Sequence, residues 1–257
     1  MISFIIPLNE RKLNRLDGLL YNIEKYYGKP SKDNYEVIII NQDIKEPFKL
    51  GQNRNLGFKE SIGDIIVFLD VDIRFKNKLS FKEILLNSKN RPVICWEFII
   101  QINEDENYNI VEIEEKKKGV GKGGCTVFTR DQYKKSYGHS NLILGWGKED
   151  NVLYYRTNFI RLIGSEIYHV YHKDKRELWG LDKKILSKTL SKNVEIVNMV
   201  RDGKIDSEKD GFNQTIAEVF LYKEELNGLL KYYNVSNITV SEKFKYIELY
   251  NEINNML

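Results

Sequence analysis

The sequence has few cysteines and lacks any long apolar run. No stretch approaches the roughly 20 consecutive apolar residues that a membrane-spanning helix needs. Two cysteines, Cys95 and Cys125, are too few for a disulfide framework; they could form one bridge, but we expect two buried thiols in a reducing compartment. Neither a basic leader nor a cleavage site precedes the first apolar segment. We therefore expect a cytoplasmic protein, at most peripheral at the inner membrane surface.

A strong excess of charge of one sign is also missing. The 40 Lys and Arg residues nearly cancel the 37 Asp and Glu residues, which leaves a formal net charge of +3. Such a balance creates no global field that would favour nucleic acid or a membrane as a partner. Two local clusters are basic: Lys116, Lys117, Lys118 and Lys122, and Lys173, Lys175 and Arg176. They are most simply solvated faces, although either could meet a diphosphate or an anionic acceptor.

Short apolar runs alternate with helical patterns in the first half of the chain, as an α/β fold requires. The segment 35–41 contains a continuous apolar run, which is typical of a central parallel strand covered on both faces. The pattern predicts strands at 3–7, 35–41, 64–69, 93–102, 108–113, 125–129 and 167–171 and helices at 13–27, 53–61 and 149–157. Beyond about residue 174 the character changes, and we predict helices at 181–200, 217–233 and 244–256.

Polar residues follow each of the first three predicted strands. Asn9 follows the first, Asn41 and Gln42 end the second, and Asp70-Val71-Asp72 follows the third. Ligands of open α/β sheets bind beyond the carboxyl ends of the strands. Three polar strand ends in register therefore predict a binding site at this edge.

The carboxylates of Asp70 and Asp72 indicate a metal site. Two like charges at a partly desolvated strand end are costly, and a divalent cation relieves that cost. The alternative is a turn in which one aspartate caps the following segment. His169 and His172, three residues apart, point to opposite faces of a strand but can converge on a turn or a helix. Together with the aspartates they would form a mixed nitrogen and oxygen site that favours Mn²⁺.

Trp146 and Gly147 precede two carboxylates, Glu149 and Asp150, at a predicted helix start. The helix dipole alone can account for acidic residues there, and we expect it to keep both carboxylates ionised. The functional alternative is a sugar site in which the indole is an apolar platform and one carboxylate is a general base. The segment 119–124 formally matches G-x-G-x-x-G, but it lacks the strand–turn–helix context of a dinucleotide site. We interpret it as a flexible loop beside a substrate.

The polar strand ends, the two aspartates, the glycine-rich segment, the Trp146 segment and the histidine pair follow one another along the chain in an order that resembles the motifs of the β-1,4-galactosyltransferase family. This family and its bacterial relatives belong to the inverting GT-A transferases. The segment 54–57 also resembles the R-N-x-G of the broader family-2 transferases. The similarity extends over residues 3–175 and consists of an ordered set of motifs. These are 6–11 for P-F-R-x-R, 37–42 for the strand ending in I-N-Q, 48–58 for F-N-R-A-x-x-x-N-x-G-F, 70–72 for D-V-D, 123–132 for G-G-V-S-A-L-S-x-x-Q, 145–151 for W-G-W-G-G-E-D-D and 169–175 for the closing metal motif.

The resemblance implies a fold and a set of site residues. The expected fold of residues 1–175 is an α/β GT-A domain with a mixed sheet flanked by helices. The similarity does not extend to residues 176–257, where the helical patterns predict a mainly helical C-terminal extension. Asp150 would be the catalytic base. The metal ligands for Mn²⁺, with Mg²⁺ as the alternative, would be Asp72, His169 and His172, and the acceptor-binding residues would be Trp146, Gly147 and Glu149. The donor-binding residues would be Pro7, Asn9, Arg11, Asn41, Gln42, Phe48, Arg54, Asp70, Val71 and Gly124.

The function implied by the resemblance is inverting transfer of a hexose from a UDP-sugar to a sugar hydroxyl of a glycan acceptor. Galactose or N-acetylgalactosamine is the first choice, and glucose follows. The chain departs from the family where Asn9 and Leu50 replace arginines, Leu144 replaces a tryptophan and Lys148 replaces a glycine. The alternatives are a metal-dependent phosphohydrolase or nucleotidyltransferase and a carbohydrate-binding module without turnover. The C-terminal helices are expected to serve acceptor binding or self-association. The reaction is expected to take part in polysaccharide biosynthesis.

Overall fold

The computed structural model describes residues 1–9, 13–42, 48–89, 91–119, 121–145, 147–171, 183–225, 227–241 and 244–256. None of the helices in these ranges is both long enough and apolar enough to span a bilayer. The strands are β1 (Ile2–Asn9), β2 (Tyr35–Gln42), β3 (Ile65–Leu69), β4 (Ile73–Phe75), β5 (Val93–Ile94), β6 (Phe98–Glu104), β7 (Ile110–Lys118), β8 (Cys125–Thr129), β9 (Ile160–Arg161), β10 (Glu166–Val170), β11 (Thr215–Glu225) and β12 (Leu230–Val240). The helices are α1 (Leu13–Tyr27), α2 (Leu50–Glu60), α3 (Phe81–Asn87), α4 (Arg130–Lys135), α5 (Glu149–Thr157), α6 (Lys183–Arg201) and α7 (Ile247–Asn254).

A mixed sheet forms the centre of the described structure, with the strand order β11-β12-β2-β1-β3-β8-β5-β9. β1 lies between β2 and β3 and runs parallel to both. β8 pairs antiparallel with β3. All of β2 is buried, because helices and further chain segments cover both faces of the sheet, as its continuous apolar run predicted. The predicted alternation of strands and helices in the first half of the chain is confirmed.

A smaller sheet with the order β4-β10-β6-β7 lies beside the main one. The turn 70–72 carries the chain from β3 in the main sheet to β4 in the smaller one. β10 pairs antiparallel with β4, which places His169 opposite Ile73. The two candidate metal-binding segments are therefore neighbours in space.

The predicted single strand at 93–102 is wrong, because the chain changes sheets within it. β5 pairs with β8 in the main sheet and β6 with β10 in the smaller one. The break falls at Cys95 and Trp96, where the Arg161 guanidinium donates a 2.8 Å hydrogen bond to the Trp96 carbonyl oxygen. Cys95 and Cys125 are both buried free thiols, as expected.

The predicted helix at 217–233 is also wrong. This segment belongs to an antiparallel hairpin of β11 and β12, and β12 adds to the main sheet parallel to β2. Tyr233, Val235 and Ile238 of β12 pack with Ile38 and Ile40 of β2, since β-branched and aromatic side chains fit a pleated surface. Within the described part of 176–257, α6 and α7 match two of the three predicted helices. The domain boundary at residue 175 stays a prediction.

Candidate active site

The carboxyl ends of the central strands meet at one edge of the main sheet, as expected. The β1–β2 register places Asn9 opposite Gln42. Beyond β3, the backbone N–H of Asp70 donates a 2.9 Å hydrogen bond to the carbonyl oxygen of Gly124. Gly124 has a φ of +82°, a left-handed conformation that suits glycine. This bond joins the Asp70-Val71-Asp72 turn to the glycine-rich segment, although Asp70 and Gly124 are 54 residues apart in sequence.

Arg54 is the central charged residue of the site. It lies on α2 and is only 2% exposed. Its Nη1 donates to Asp150 Oδ1 at 2.6 Å, and its Nη2 donates to Asp70 Oδ1 at 2.8 Å. Burial alone would oppose the charge, but Asp150 and Asp70 outweigh it and hold the pKa of Arg54 above its ordinary value. One guanidinium therefore fixes a carboxylate from the end of β3 against a carboxylate from the start of α5.

His139 supports Arg54, and the sequence analysis did not identify it. Burial, with the nearby charges of Arg54 and Arg156, holds the pKa of His139 well below its usual range. The ring is therefore neutral. Its Nε2 lies 3.3 Å from Arg54 Nη1 and accepts from it, while Nδ1 lies 2.7 Å from the Tyr133 hydroxyl.

Tyr133 in turn donates a 2.8 Å hydrogen bond to Asn55 Oδ1. The chain of hydrogen bonds thus runs from Arg54 through His139 and Tyr133 to Asn55, which follows Arg54 on α2. The only sequence signal for it was the R-N-x-G segment, which contains both Arg54 and Asn55. His139 itself stands outside every motif.

Asp150 and Glu149 occupy different environments at the start of α5. Asp150 remains one-fifth exposed beside Arg54. Glu149 is 9% exposed, and burial together with the adjacent Asp150 charge raises the pKa of Glu149 to about 8. The expectation that the helix dipole keeps both carboxylates ionised is therefore wrong for Glu149, because desolvation outweighs the dipole.

The glycine-rich segment packs directly against Asp150. A Cβ atom added at Gly123 would lie 2.1 Å from Asp150 Oδ2, so only glycine admits the carboxylate at this distance. The Trp96 indole N–H donates a 2.8 Å hydrogen bond to the Gly123 carbonyl oxygen. Trp96 is buried and stacks against the Arg161 guanidinium, 4.6 Å from the ring centroid. Trp96 is thus a second site residue that the sequence analysis missed; the mobility predicted for this segment stays a prediction.

Asp72 and His169 form the described part of the expected metal site. Asp72 is 5% exposed, and its Oδ1 lies 3.9 Å from His169 Nε2. The backbone N–H of Val170 donates a 2.8 Å hydrogen bond to the Asp72 carbonyl oxygen, which fixes the two segments together. Two metal–ligand bonds of about 2.1 Å span such a gap, so this pair fits a divalent cation.

His172, which is also expected to bind the metal, lies outside the described residues. Within the described part of the chain, no group of three or more His, Cys, Asp or Glu side chains is arranged to hold an ion. The Arg15 Nη1 atom lies 3.7 Å from Asp72 Oδ2, so a cation at this carboxylate would replace part of an existing charge contact. The three-ligand set stays a prediction.

Comparison with known proteins shows which proteins the chain is similar to. A family model described as the N-terminal domain of galactosyltransferase matches residues 115–176. The catalytic domain of Drosophila β1,4-galactosyltransferase 7 in complex with xylobiose superposes with a TM-score of 0.58 at 18% identity, covering 93% of this chain and 94% of that one. The chain has a galactosyltransferase-like GT-A fold. The resemblance predicted from the motifs is confirmed.

Curated relatives give the same family name. β-1,4-galactosyltransferase 1 of Bos taurus is 25% identical over 187 residues, which cover 71% of this chain and 42% of the relative. β-1,4-galactosyltransferase 5 of Danio rerio is 33% identical over 129 residues, covering 47% and 29%. The GT-A chain therefore spans less than half the length of these relatives. A second Drosophila β1,4-galactosyltransferase 7 structure, of a mutant, contains manganese, UDP-Gal and xylobiose.

Several residues expected to bind the donor make internal contacts in this GT-A fold. The Asn41 amide donates a 2.7 Å hydrogen bond to Asn234 Oδ1 on β12. Gln42 Oε1 accepts from the Lys49 backbone N–H at 2.8 Å and from the Asn53 amide at 2.9 Å. Gln42 thus holds the start of α2, the helix that carries Arg54.

The remaining expected residues fall into two groups. Buried at or near the carboxyl edge of the sheet are Pro7, Asn9, Phe48 and Val71. Outside the described residues are Arg11 and Trp146. Gly147, expected at the acceptor, has a φ of +90°, a left-handed conformation that favours glycine. The donor and acceptor roles of all these residues stay predictions.

Proposed function

We propose that this chain is an inverting, Mn²⁺-dependent hexosyltransferase. It moves a hexose from a UDP-sugar to a sugar hydroxyl, with galactose or N-acetylgalactosamine as the first donors to test and glucose next. The observation that carries the proposal is the Arg54 clamp, which holds Asp150 beside Asp70 at the carboxyl edge of the sheet. The similarity of the chain to β-1,4-galactosyltransferases supports the same function. So do the manganese and UDP-Gal in the structure of a structural neighbour.

Asp150 is suited to act as the general base. Arg54 fixes its Oδ1 atom, and its Oδ2 atom points toward Gly123. One oxygen is therefore held by a permanent cation while the other can take a proton. In the proposed reaction Oδ2 accepts the proton of the acceptor hydroxyl as that oxygen attacks the anomeric carbon. The bond between the anomeric carbon and the UDP oxygen breaks in the same step, so the configuration inverts.

Glu149 keeps the acceptor-binding role expected from the sequence, but as a protonated hydrogen-bond donor and not as an ionised carboxylate. With its pKa raised to about 8, it is largely protonated at neutral pH and can donate a hydrogen bond to an oxygen of the acceptor sugar. Adjacent carboxyl groups in two protonation states are a recurring way to separate the roles of acid and base. Asp150 would accept a proton while Glu149 orients the acceptor.

Asp72 and His172 would hold Mn²⁺, with His169 as the third proposed ligand. When bound, the ion supplies positive charge that stabilises the diphosphate leaving group. Asp72 is well placed for this because its carboxylate lies at the same turn as Asp70, on the side facing β10. Mg²⁺ is the alternative ion, and Mn²⁺ is preferred because an imidazole joins the carboxylate.

The first experiment incubates the native chain with Mn²⁺ and a panel of nucleotide sugars, with and without sugar acceptors, and measures release of UDP. Transfer with UDP-galactose or UDP-N-acetylgalactosamine is expected, and EDTA should abolish it. Full activity in EDTA would refute the metal assignment. Release of free phosphate would indicate a phosphohydrolase, and sugar binding without product a binding module.

The second experiment compares two matched aspartate variants. Asp150→Asn keeps the shape of the side chain but removes the base, and should reduce transfer about 10²–10⁴-fold with little change in UDP-sugar affinity. Asp131→Asn is the control, because Asp131 is an exposed aspartate in the first turn of another helix, α4. Equal transfer rates for the two variants would contradict the assignment of the base.

A further inference from the structure

A cavity of about 320 Å³ is lined by residues other than those of the Arg54 clamp. It opens between α1, the β6–β7 hairpin and β10. Its volume falls in the range of small-ligand pockets. None of the site residues discussed above lines it. Its aromatic lining comes from four separate elements and comprises Tyr21 and Tyr26 of α1, Phe75 of β4, Tyr108 of the hairpin turn and Tyr168 of β10.

The floor of the cavity is an internally neutralised ion pair. Arg74 Nε donates to Glu104 Oε1 at 2.9 Å, and Arg74 Nη2 donates to Glu104 Oε2 at 3.0 Å. Both side chains are nearly buried. Because the two charges cancel in a bidentate pair, the floor offers no excess positive charge for a phosphate or a carboxylate. The floor is therefore neutral overall, and the one further charged side chain among the described lining residues is the exposed Lys25.

The position of the Tyr108 ring is fixed by an unusual backbone. Tyr108 has a φ of +63°, a conformation that is uncommon for a bulky residue and has to be held by its surroundings. Asp105 holds the turn: its Oδ1 accepts from the backbone N–H groups of Asn107 and Asn109 at 2.9 Å each. The turn places the Tyr108 ring 5.8 Å from that of Tyr21, measured between centroids.

Gly18 on α1 makes room for this arrangement. A Cβ atom there would lie 2.6 Å from Arg74 Nη2 and 2.9 Å from Tyr108 Cδ1. A glycine within a helix is unfavourable in itself, so its presence here is explained by the close approach of the cavity floor and the Tyr108 ring. The turn that carries Tyr108, the glycine at position 18 and the Arg74–Glu104 ion pair therefore fix the shape of the cavity before any ligand binds.

We infer that this cavity is a second carbohydrate site, which takes one neutral sugar ring of a longer glycan. Sugar rings present apolar C–H faces together with hydroxyl groups. Here the tyrosine rings offer flat apolar surface, and Lys25, Glu104 and Asn109 offer hydrogen-bonding groups at the floor and rim. This inference goes beyond the proposed transfer reaction and does not depend on it. A sugar held here would keep an extended glycan on the enzyme between encounters with the Arg54 site.

The test measures binding of cellobiose, lactose, maltose and xylobiose to the full chain by calorimetry and saturation-transfer NMR, without UDP-sugar or Mn²⁺. At least one disaccharide should bind saturably. Tyr21→Ala and Tyr108→Ala should each weaken that binding about fivefold or more, the scale of one lost aromatic contact. Tyr21 is half exposed, so its truncation should leave the fold intact, which a melting curve checks.

Glu24→Ala is the matched control, because Glu24 is exposed on the same helix and does not line the cavity. It should bind the disaccharide like the native chain. Binding that is unaffected by both tyrosine variants would place the sugar elsewhere and overturn the inference. Absence of saturable binding for all four disaccharides, or tighter binding of galacturonic acid than of galactose, would also overturn it.

Discussion

Replacing Arg54 by methionine tests whether the clamp is as important to the fold as its geometry indicates. The substitution keeps an unbranched side chain but removes the charge that bridges Asp70 and Asp150. Removing one partner of a fully buried pair costs about 3–5 kcal/mol, whereas an exposed pair contributes about 0–1 kcal/mol. Arg54 is 2% exposed, but the two aspartates are 30% and 20% exposed, so water can solvate them in part. We therefore expect a loss of about 2–3 kcal/mol.

The assay is urea denaturation, with a thermal melt in parallel. For a chain of this size a loss of that order corresponds to a decrease in Tm of about 5–10 °C. The loss should be smaller near pH 5 than near pH 8. Burial, Asp72 and Asp150 already raise the pKa of Asp70 against the opposing effect of Arg54. Without Arg54 the pKa of Asp70 rises further, so this carboxyl binds a proton more readily in the folded state than in the unfolded state, and acid favours the variant's fold.

A double variant provides the control. In the Asp150→Asn background, Arg54→Met leaves one unbalanced carboxylate instead of two, so the loss should shrink by roughly 1 kcal/mol, within the usual range of coupling between contacting residues. A melting temperature within about 2 °C of the native value for the single variant would refute the reasoning. Equal losses in both backgrounds would show that Asp150 is not coupled to Arg54.

Three further predictions concern the surroundings of the clamp. A folded-state pKa of about 8 for Glu149 makes the stability of the native chain fall as pH rises. Measured in EDTA, Glu149→Gln should therefore leave the free energy of unfolding nearly unchanged near pH 5. Near pH 8 the variant should have a higher free energy of unfolding than the native chain. Gly123→Ala should slow transfer about 10²-fold by displacing Asp150, measured as kcat with UDP affinity as reference. Asp210→Ala should cost about 3–5 kcal/mol in urea denaturation, since it leaves the buried Arg156 unpaired.

The central sheet was predictable because its signals are local. A strand with a continuous apolar run, such as 35–41, needs cover on both faces, and polar residues that end parallel strands must share one edge. The order of the motifs then predicted site roles for Asp72, His169 and Asp150. Asp72 and His169 lie next to each other in the structure, and Asp150 lies at the same edge as Asp70. Their roles stay predictions.

The clamp itself was not predictable, because its partners are far apart in sequence. Asp70 and Asp150 are 16 and 96 residues from Arg54, and no local pattern reports such a contact. The same holds for Glu149: a helix start predicts an ionised carboxylate, while the burial that raises its pKa arises from tertiary packing. The error at 217–233 has a related cause. Its mixture of Lys, Glu and apolar residues fits a helical period, but the open edge of β2 selects the strand.

The pairing of β12 with β2 has a consequence for how the chain folds as it is synthesised. Asn41 and Asn234, which share a hydrogen bond across these strands, are 193 residues apart. Until β12 leaves the ribosome, β2 is an apolar strand with one unpaired edge, and such edges invite pairing with other chains. Contacts of such long sequence separation also slow folding. Nascent chains released before β12 should therefore be prone to aggregation, whereas the completed chain closes this edge with its own hairpin.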